Sequence, residues 1–565
     1  MRDAGAGALE GAAALAEGLA LRGLGRVVTS PGSRNAPLIH AFAAIGLDGP
    51  VALDERAAAH HALGMALALG TPVAVCCTSG TAALNHGPAL AEAFKSGLPL
   101  ISITADRPQG AHGEWQSQTL KQDGIHALHV RAQFTWEPAT AEEAESLLDA
   151  MVLALSSGPI HINCPFGEPL YPVEAVERDA DGTSAVRVRT PEAASPEALA
   201  SWEHVLVGAC ERGDRIMLLG GTQPVPLSST VLRTWSSAAL LVGDTTGGLA
   251  LQGVPLISAC DRWLGAWSAS GQDWERFKPD LIITFGTPLL SRRLRAQLAD
   301  GARAHVHLDP GGEAPLAFGI PCRNIPLSPP TALEAGAAIL VNSAAVTDTR
   351  DQWQQHWWSI ESGVRERHAG AMANAPWSDL VAHGILHAAV PEGWDLHLGN
   401  STPVRYAQLF PNSQVRHPWS NRGVAGIDGC SSTAVGAVLA GRKVTLITGE
   451  LGFLYDANAF HVQPLPSDLR VAVIHNGGGG IFRWLDGPER TGLAASHFEW
   501  QHDTALRPLC DLHGLIHERV TDARGLQEAM QHWWAPSEAP KVLEIATPRA
   551  ESAEAYRAYM RDVRP

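Results

Sequence analysis

An α/β fold built three times over, each unit a parallel sheet covered by helices, is predicted by two features of the 565-residue sequence. Short, wholly apolar runs recur along the chain, and each leads through a Gly- or Ser-rich loop into a longer Ala/Leu-rich stretch. Strands that are apolar throughout need cover on both faces, and helices alternating with them supply that cover through parallel crossovers. Length agrees, because 565 residues exceed what one hydrophobic core serves and about three or four domains are expected.

Taken in order, the chain opens with an amphipathic Ala/Leu-rich helix over 8–21, whose Glu10 and Glu17 make it a poor signal peptide. The first unit then offers the strands Arg26-Val-Val-Thr29, Val73-Ala-Val-Cys-Cys-Thr78, Leu98-Pro-Leu-Ile-Ser-Ile-Thr104 and Pro159-Ile-His-Ile-Asn163. The second offers Arg215-Ile-Met-Leu-Leu219, Leu240-Leu-Val-Gly243, Asp280-Leu-Ile-Ile-Thr-Phe285 and His305-Val-His-Leu308. The third offers Asp395-Leu-His-Leu398, Lys443-Val-Thr-Leu-Ile-Thr448, Arg470-Val-Ala-Val-Ile474 and Lys541-Val-Leu-Glu-Ile-Ala546. Residues 171–198, rich in Pro, Glu, Asp and Thr, read as a linker, whereas 342–377, with Trp353, Trp357 and Trp358, reads as a bridging helix. Domains over 1–185, 198–345 and 375–565 follow.

Hydrophobic residues make up 45 % and charged residues 18 %, an ordinary globular composition. A formal charge of −16 argues against nucleic acid or anionic membrane as a partner, so an anionic substrate needs a local arginine cluster. Eight cysteines, in no CxxC or Cys/His ligand spacing, indicate neither a disulfide framework nor a zinc site. No apolar run approaches ~18 residues, so no membrane span is expected and a cytoplasmic location is the default.

In open α/β sheets ligands bind beyond the carboxyl ends of strands, and the loops there carry the candidate chemistry. Ser30-Pro-Gly-Ser-Arg-Asn35 follows the first strand: a tight turn by composition, but with Ser33 and Arg34 suited to carboxylate or phosphate. Asp54-Glu-Arg56 precedes an alanine-rich helix, which Asp54 can cap. Thr78-Ser-Gly-Thr-Ala82 lets backbone N–H groups approach a ligand, or is simply a tight βα turn. Thr104-Ala-Asp-Arg-Pro108 puts Arg107 on the same sheet edge, ahead of a loop with Gln116, Gln118 and Gln122.

These four motifs in this order, closed by His161-Ile-Asn-Cys-Pro-Phe-Gly-Glu-Pro-Leu170, resemble the pyrimidine-binding domain of the SEPHCHC synthase family of menaquinone biosynthesis. Leu398-Gly-Asn-Ser-Thr-Pro-Val-Arg405 and Ser420-Asn-Arg-Gly-Val-Ala-Gly-Ile-Asp-Gly429 resemble its diphosphate-binding domain. The resemblance covers nearly the whole chain and is weakest between about 180 and 350. It implies the three-domain thiamine-diphosphate enzyme architecture and a transferase (carboligase) activity. The substrates it implies are 2-oxoglutarate, which is decarboxylated, and isochorismate, to which the acyl unit is added. Thiamine diphosphate with Mg2+ or Mn2+ is the implied cofactor, bound between two subunits of a homodimer or dimer of dimers.

By the resemblance Glu55 is the catalytic carboxylate, acting through the aminopyrimidine of the cofactor. Thr78, Gly80, Ile427, Gly449, Gly477, Gly479, Ile481 and Phe482 are cofactor contacts, with Ile427 propping its bent shape; an ordinary core isoleucine is the competing reading. Arg34, Arg107, Arg405 and Arg422 match substrate arginines, with Ser33, Gln118 and Ser401 as polar partners. Arg292 and Arg293, in Ser291-Arg-Arg-Leu-Arg295, match a basic pair from the central domain, or form a solvated helix face. The metal ligands implied are Glu450, Asn476 and the carbonyl of Gly478.

The metal motif departs from the family. Glu450 stands where aspartate is usual, and His475 where the first asparagine is usual. The extra methylene moves the carboxylate outward by ~1.5 Å. Magnesium tolerates such displacement poorly, so a relaxed preference toward manganese or calcium is expected. Two other readings stay open: a different thiamine-diphosphate decarboxylase or carboligase, and a catalytically silent homologue.

Overall fold

The computed structural model describes residues 4–108, 110–111, 116–171, 194–269, 274–299, 301–342, 348–411, 415 and 418–564. The strands are β1 (Arg26–Thr29), β2 (Asp48–Ala52), β3 (Val73–Cys77), β4 (Leu100–Asp106), β5 (Ala132–Thr135) and β6 (Ile160–Pro165). Next come β7 (Ile216–Gly220), β8 (Ala239–Gly243), β9 (Leu281–Phe285), β10 (Ala304–Leu308) and β11 (Cys322–Ile325). The last are β12 (Asp395–Leu398), β13 (Val444–Gly449), β14 (Val462–Gln463), β15 (Leu469–His475), β16 (Ile516–Val520) and β17 (Lys541–Ala546). They form three sheets, ordered β14-β2-β1-β3-β4-β6-β5, β11-β10-β9-β7-β8 and β12-β13-β15-β17-β16. Every pairing is parallel except β14 with β2, so the α/β class holds.

All twelve anticipated strands are present, shifted by at most two residues at an end. Five more were not anticipated: β2, β5, β11, β14 and β16. Each lies at a sheet edge or next to one and contains exposed or half-buried positions with polar residues or glycine among them, so no continuous apolar run marks them. Most of the reading of 171–198 as linker falls on 172–193, outside the described residues, and helix Pro196–Glu211 replaces its last part. Ser195 caps that helix by accepting from the Ala198 N–H at 3.3 Å. The bridging segment is helix Asp348–Ala373. Trp353 and Trp357 anchor it on the central unit by donating to the carbonyl of Phe277, while Arg367 donates to Val563 O at 3.3 Å in the C-terminal region.

One apolar core joins the first and third sheets. Helix Glu55–Leu69 packs across helix Cys430–Leu439, and their alanines share a cluster with Val28, Val75, Val444, Phe453 and Val471. Two glycines let the helices touch. A Cβ on Gly64 would overlap the carbonyl of Thr433, and one on Gly436 the carbonyl of His61. The central sheet meets the third through Asp244, which accepts from the Leu290 N–H and, across the boundary, from Gln408 Nε2 at 3.4 Å. Thr245 Oγ1 donates to Ala407 O at 3.1 Å beside it. Among the described residues no helix is long and apolar enough to cross a membrane.

Gly64→Ala should therefore cost about 1–3 kcal/mol or more, because backbone lines the overlap and cannot yield as a flexible side chain would. Urea unfolding of the two chains measures it, and an unchanged midpoint would contradict the close crossing. Asp244 supplies a second expectation. Burial pushes its carboxyl up to about 7, against the opposing hydrogen bond from Leu290. Folding thus favours the protonated form, a contribution that is full below the unfolded value near ~4 and lost as pH rises through about 7. Asp244→Asn should gain on the parent chain by about 3 kcal/mol between about pH 5 and pH 8. A difference that does not change with pH would rule this out.

Candidate active site

The first cluster sits at the carboxyl edge of β1, β3 and β4, which are adjacent in the sheet. Gly32 lies so close to Thr78 that any Cβ would overlap it, so the loops after β1 and β3 touch. Arg34 N–H donates to Thr78 Oγ1 at 3.3 Å, while its guanidinium donates to Phe166 O at 3.0 Å and pairs with Glu168 at 3.2 Å. Ser33 shares a 2.8 Å hydrogen bond with Tyr171. Arg107 is held by Ser117 O and by Gln116 Oε1 at 2.9 Å. Gln118, with a left-handed φ of 58°, donates to Ser79 O at 3.2 Å. Gly80 needs its φ of 81°, and its N–H donates to Gln122 Oε1 at 2.8 Å. Gln122 is buried, not part of a solvated loop, and also donates to Ala105 O and Asn163 Oδ1, fixing the Thr78–Gly80 turn from below.

Glu55 opens helix Glu55–Leu69. Asp54 performs the capping, accepting from the N–H groups of Arg56 at 2.8 Å and Ala57 at 3.3 Å. With the cap role taken, the half-buried Glu55 carboxylate has no hydrogen bond or ion pair among the described residues.

The second cluster lies past β12. Asn400 is its hub: Nδ2 donates to the carbonyls of Asn421 and Gly426 at 2.7 Å each, and Oδ1 accepts from Arg422 at 2.8 Å and Ser420 Oγ at 3.2 Å. Glu92, in helix Gly87–Ser96, clamps the same loop from the first unit, accepting from Gly423 N at 2.8 Å and Val424 N at 2.9 Å. Ser401 takes a left-handed φ of 74°, and Arg405 donates to its carbonyl. Burial pushes the guanidinium of Arg405 down, and the nearby Arg422 and Arg292 push it further. Burial lowers Arg422 as well, opposed by Asp244 and Glu92 and helped by Arg295. Both stay cationic, and neither has a carboxylate ion-pair partner among the described residues. Arg292 and Arg293 start helix Arg292–Leu298, which Ser291 caps while donating to Asp261 at 2.6 Å. Arg293 donates to Asp261 O at 3.1 Å. Ile427 is 36 % exposed, so it is not an ordinary core isoleucine.

The third cluster joins the ends of β13 and β15. Gly449 precedes Glu450, which is 2 % exposed. Burial drives its carboxyl up to about 7, although Gly478 N donates to it at 2.6 Å. Asn476 Nδ2 donates to Asp379 at 2.8 Å, and its buried Oδ1 has no hydrogen-bond partner among the described residues. The glycine run bends sharply, with φ of 73° at Gly477 and 149° at Gly478. Arg549 donates to Gly477 O at 2.8 Å and fills the space a Cβ there would need. Gly478 O accepts from Gly480 N at 2.8 Å, and Gly479 N donates to Glu499 O at 2.6 Å. Ile481 and Phe482 lie in the 3-10 turn Gly480–Arg483. His475 Nδ1 bonds Glu544 at 2.9 Å, and His502 Nε2 lies 3.7 Å from Glu450.

A buried carboxylate, an orphaned amide oxygen and a flexible glycine backbone fit a divalent cation with a diphosphate. His502, Asn400, Glu92 and Glu544 were not picked out by sequence reasoning. Only Asn400 carried a signal, standing between Gly399 and Ser401 in a quoted motif.

Residues 9–127 match the family model described as thiamine pyrophosphate enzyme, N-terminal TPP binding domain. Curated relatives named 2-succinyl-5-enolpyruvyl-6-hydroxy-3-cyclohexene-1-carboxylate synthase span almost the whole chain. The Porphyromonas gingivalis protein is 33 % identical over 97 % of this chain and 96 % of its own. The Desulfotalea psychrophila protein is 34 % identical over 93 % and 95 %, and that of Cytophaga hutchinsonii 33 % over 96 % of each. The chain belongs to this synthase family, abbreviated SEPHCHC synthase, and is a thiamine-diphosphate-dependent enzyme.

Proposed function

We propose that this member of the SEPHCHC synthase family decarboxylates 2-oxoglutarate and adds the resulting four-carbon acyl unit to the conjugated alkene of isochorismate, releasing carbon dioxide. The observation that carries the reading is the pair of half-buried guanidiniums of Arg405 and Arg422, neither in a carboxylate ion pair among the described residues, with Arg292 near Arg405. The carboxylates that act on them, Asp261 on Arg405 and Asp244 and Glu92 on Arg422, form no ion pair with them, so an entering anion gains by pairing with the guanidiniums directly. Both substrates are dicarboxylates, which suits several converging arginines better than a monoanion such as pyruvate does.

The residues divide by task. Arg405, Arg422, Arg292 and Arg293 bind substrate carboxylates, with Ser401 shaping the turn beneath Arg405. Ser33, Arg34, Arg107 and Gln118 supply the opposing wall, Arg34 by exchanging its exposed partner Glu168 for substrate. Thiamine diphosphate, when bound, supplies the electron sink that makes loss of carbon dioxide possible. Glu55 holds and returns a proton at the pyrimidine ring of that cofactor, a role its uncommitted carboxylate leaves open. Ile427 offers an apolar support. Thr78, Gly80, Gly449, Gly477, Gly479, Ile481 and Phe482 line the cofactor, and Glu450, Asn476 and Gly478 hold a divalent cation, Mg2+ or Mn2+. The protein is proposed to work in the cytoplasm as a homodimer or dimer of dimers.

Isochorismate loss is followed with purified protein, thiamine diphosphate, Mg2+ or Mn2+ and 2-oxoglutarate. Consumption should require both 2-oxoglutarate and the cofactor. Glu55→Gln should lower kcat by about 10²–10⁴-fold. Arg405→Ala removes a charge-assisted contact of roughly 1.5–3 kcal/mol and should raise KM by about 10- to 100-fold. Turnover of pyruvate as fast as 2-oxoglutarate, or isochorismate loss without any 2-oxo acid, would refute the reading.

A further inference from the structure

We propose that the divalent cation of this protein is bound through nitrogen as well as oxygen, with His475 as a ligand beside Glu450 and Asn476, and that the site prefers Mn2+ and Co2+ to Mg2+. The inference rests on the cofactor reading above and departs from the all-oxygen protein ligands which that reading assigns.

Three observations converge. A carboxylate oxygen of Glu450 and one ring nitrogen each of His475 and His502 lie within 4.8 Å of one another. Glu450 also reaches the backbone of Gly478, so its longer side chain remains at the glycine run instead of swinging away. Asn476 Oδ1, in the residue after His475, is buried and has no hydrogen-bond partner among the described residues, an acceptor with its lone pairs unused there.

The two imidazoles differ in what holds them. His475 Nδ1 faces Glu544 Oε1 at 2.9 Å, and Glu544 is fixed in turn by His517 at 2.8 Å and Arg519 at 2.9 Å. The carboxylate accepts the Nδ1 hydrogen, so the free lone pair of the neutral ring is on Nε2. A carboxylate behind an imidazole is the usual support of a metal-binding histidine. His502 is set the other way. Its Nδ1 accepts from Thr504 N at 3.1 Å, so its Nε2 carries the hydrogen; 3.7 Å from Glu450, that nitrogen makes no hydrogen bond among the described residues and has no lone pair to offer a metal. Of the two rings, His475 is therefore the one with a nitrogen lone pair to supply. Imidazole raises affinity for first-row transition ions, whereas Mg2+ favours oxygen and sheds water reluctantly.

The test uses the full chain, stripped of metal with EDTA and mixed with thiamine diphosphate. Mg2+, Mn2+ and Co2+ are titrated by calorimetry, and pulsed EPR of the Mn2+ form reads coupling to ¹⁴N. Co2+ should bind at least ~10-fold more tightly than Mg2+, and His475→Asn should shrink that ratio by about 10-fold or more. The imidazole ¹⁴N coupling should be present in the parent chain, lost in His475→Asn and kept in His502→Gln. Mn2+ bound without ¹⁴N coupling overturns the proposal, as does coupling that survives His475→Asn and vanishes in His502→Gln. Cofactor binding is scored separately by calorimetry. A nitrogen-coupled Mn2+ site in a chain that does not bind thiamine diphosphate supports the ligand set and sinks the cofactor reading instead.

Discussion

The crossing of helices Glu55–Leu69 and Cys430–Leu439 is the constraint on which the rest of the molecule depends. Because Gly64 and Gly436 lack side chains, the two backbones meet directly, and the alanines around them close one core from two parts of the sequence. Polar contacts then lock the same junction. Buried Asp456 accepts from Ser432 N at 2.7 Å and Ser432 Oγ at 2.9 Å, and pairs with Arg56, the residue after Glu55. Glu92 reaches across the junction to the backbone next to Arg422. The backbone beside Arg422 is thus held from across the junction that the two helices make.

Charge is organised by contrast between committed and uncommitted groups. In a chain of net charge −16, arginines easily find carboxylates, and Arg34, Arg56 and Arg442 have done so. Arg405 and Arg422 bond instead to neutral oxygens, Ser401 O and Asn400 Oδ1, which fix direction without cancelling charge. Glu55 is the acidic counterpart, freed by Asp54 taking the cap. A site assembled this way is preorganised in geometry while its electrostatic demand is left for ligands to satisfy.

Sequence reading works where local chemistry decides the outcome. Apolar runs marked twelve of the strands, and Ser, Gly and Thr at their ends marked the loops that gather Arg34, Thr78, Gly80, Arg107, Ser401 and Glu450. It fails where the partner lies far off in the chain. Glu92 looks like any helical glutamate until residues 331 and 332 positions later meet it. His502 sits in a polar stretch without periodicity, and Glu544 lies inside an apolar strand, where the facing His475, His517 and Arg519 explain a carboxylate. Burial would raise Glu544, yet hydrogen bonds from His475, His517 and Arg519 bring it down to about 2.

Strand β14 has a consequence for how such a protein can evolve. Two residues from the third unit, Val462 and Gln463, pair antiparallel with Ala52 and Val51 and close the outer edge of the first sheet, with Leu53 N bonded to His461 O at 3.1 Å. Cut from the chain, the first unit would expose an open strand edge carrying Val51 and Leu53, the kind of edge that pairs with strangers. Gene fission or exchange at the first boundary is therefore disfavoured, because each half would inherit an unfinished surface. The three units look like separable modules, but the chain is stitched so that they are inherited together.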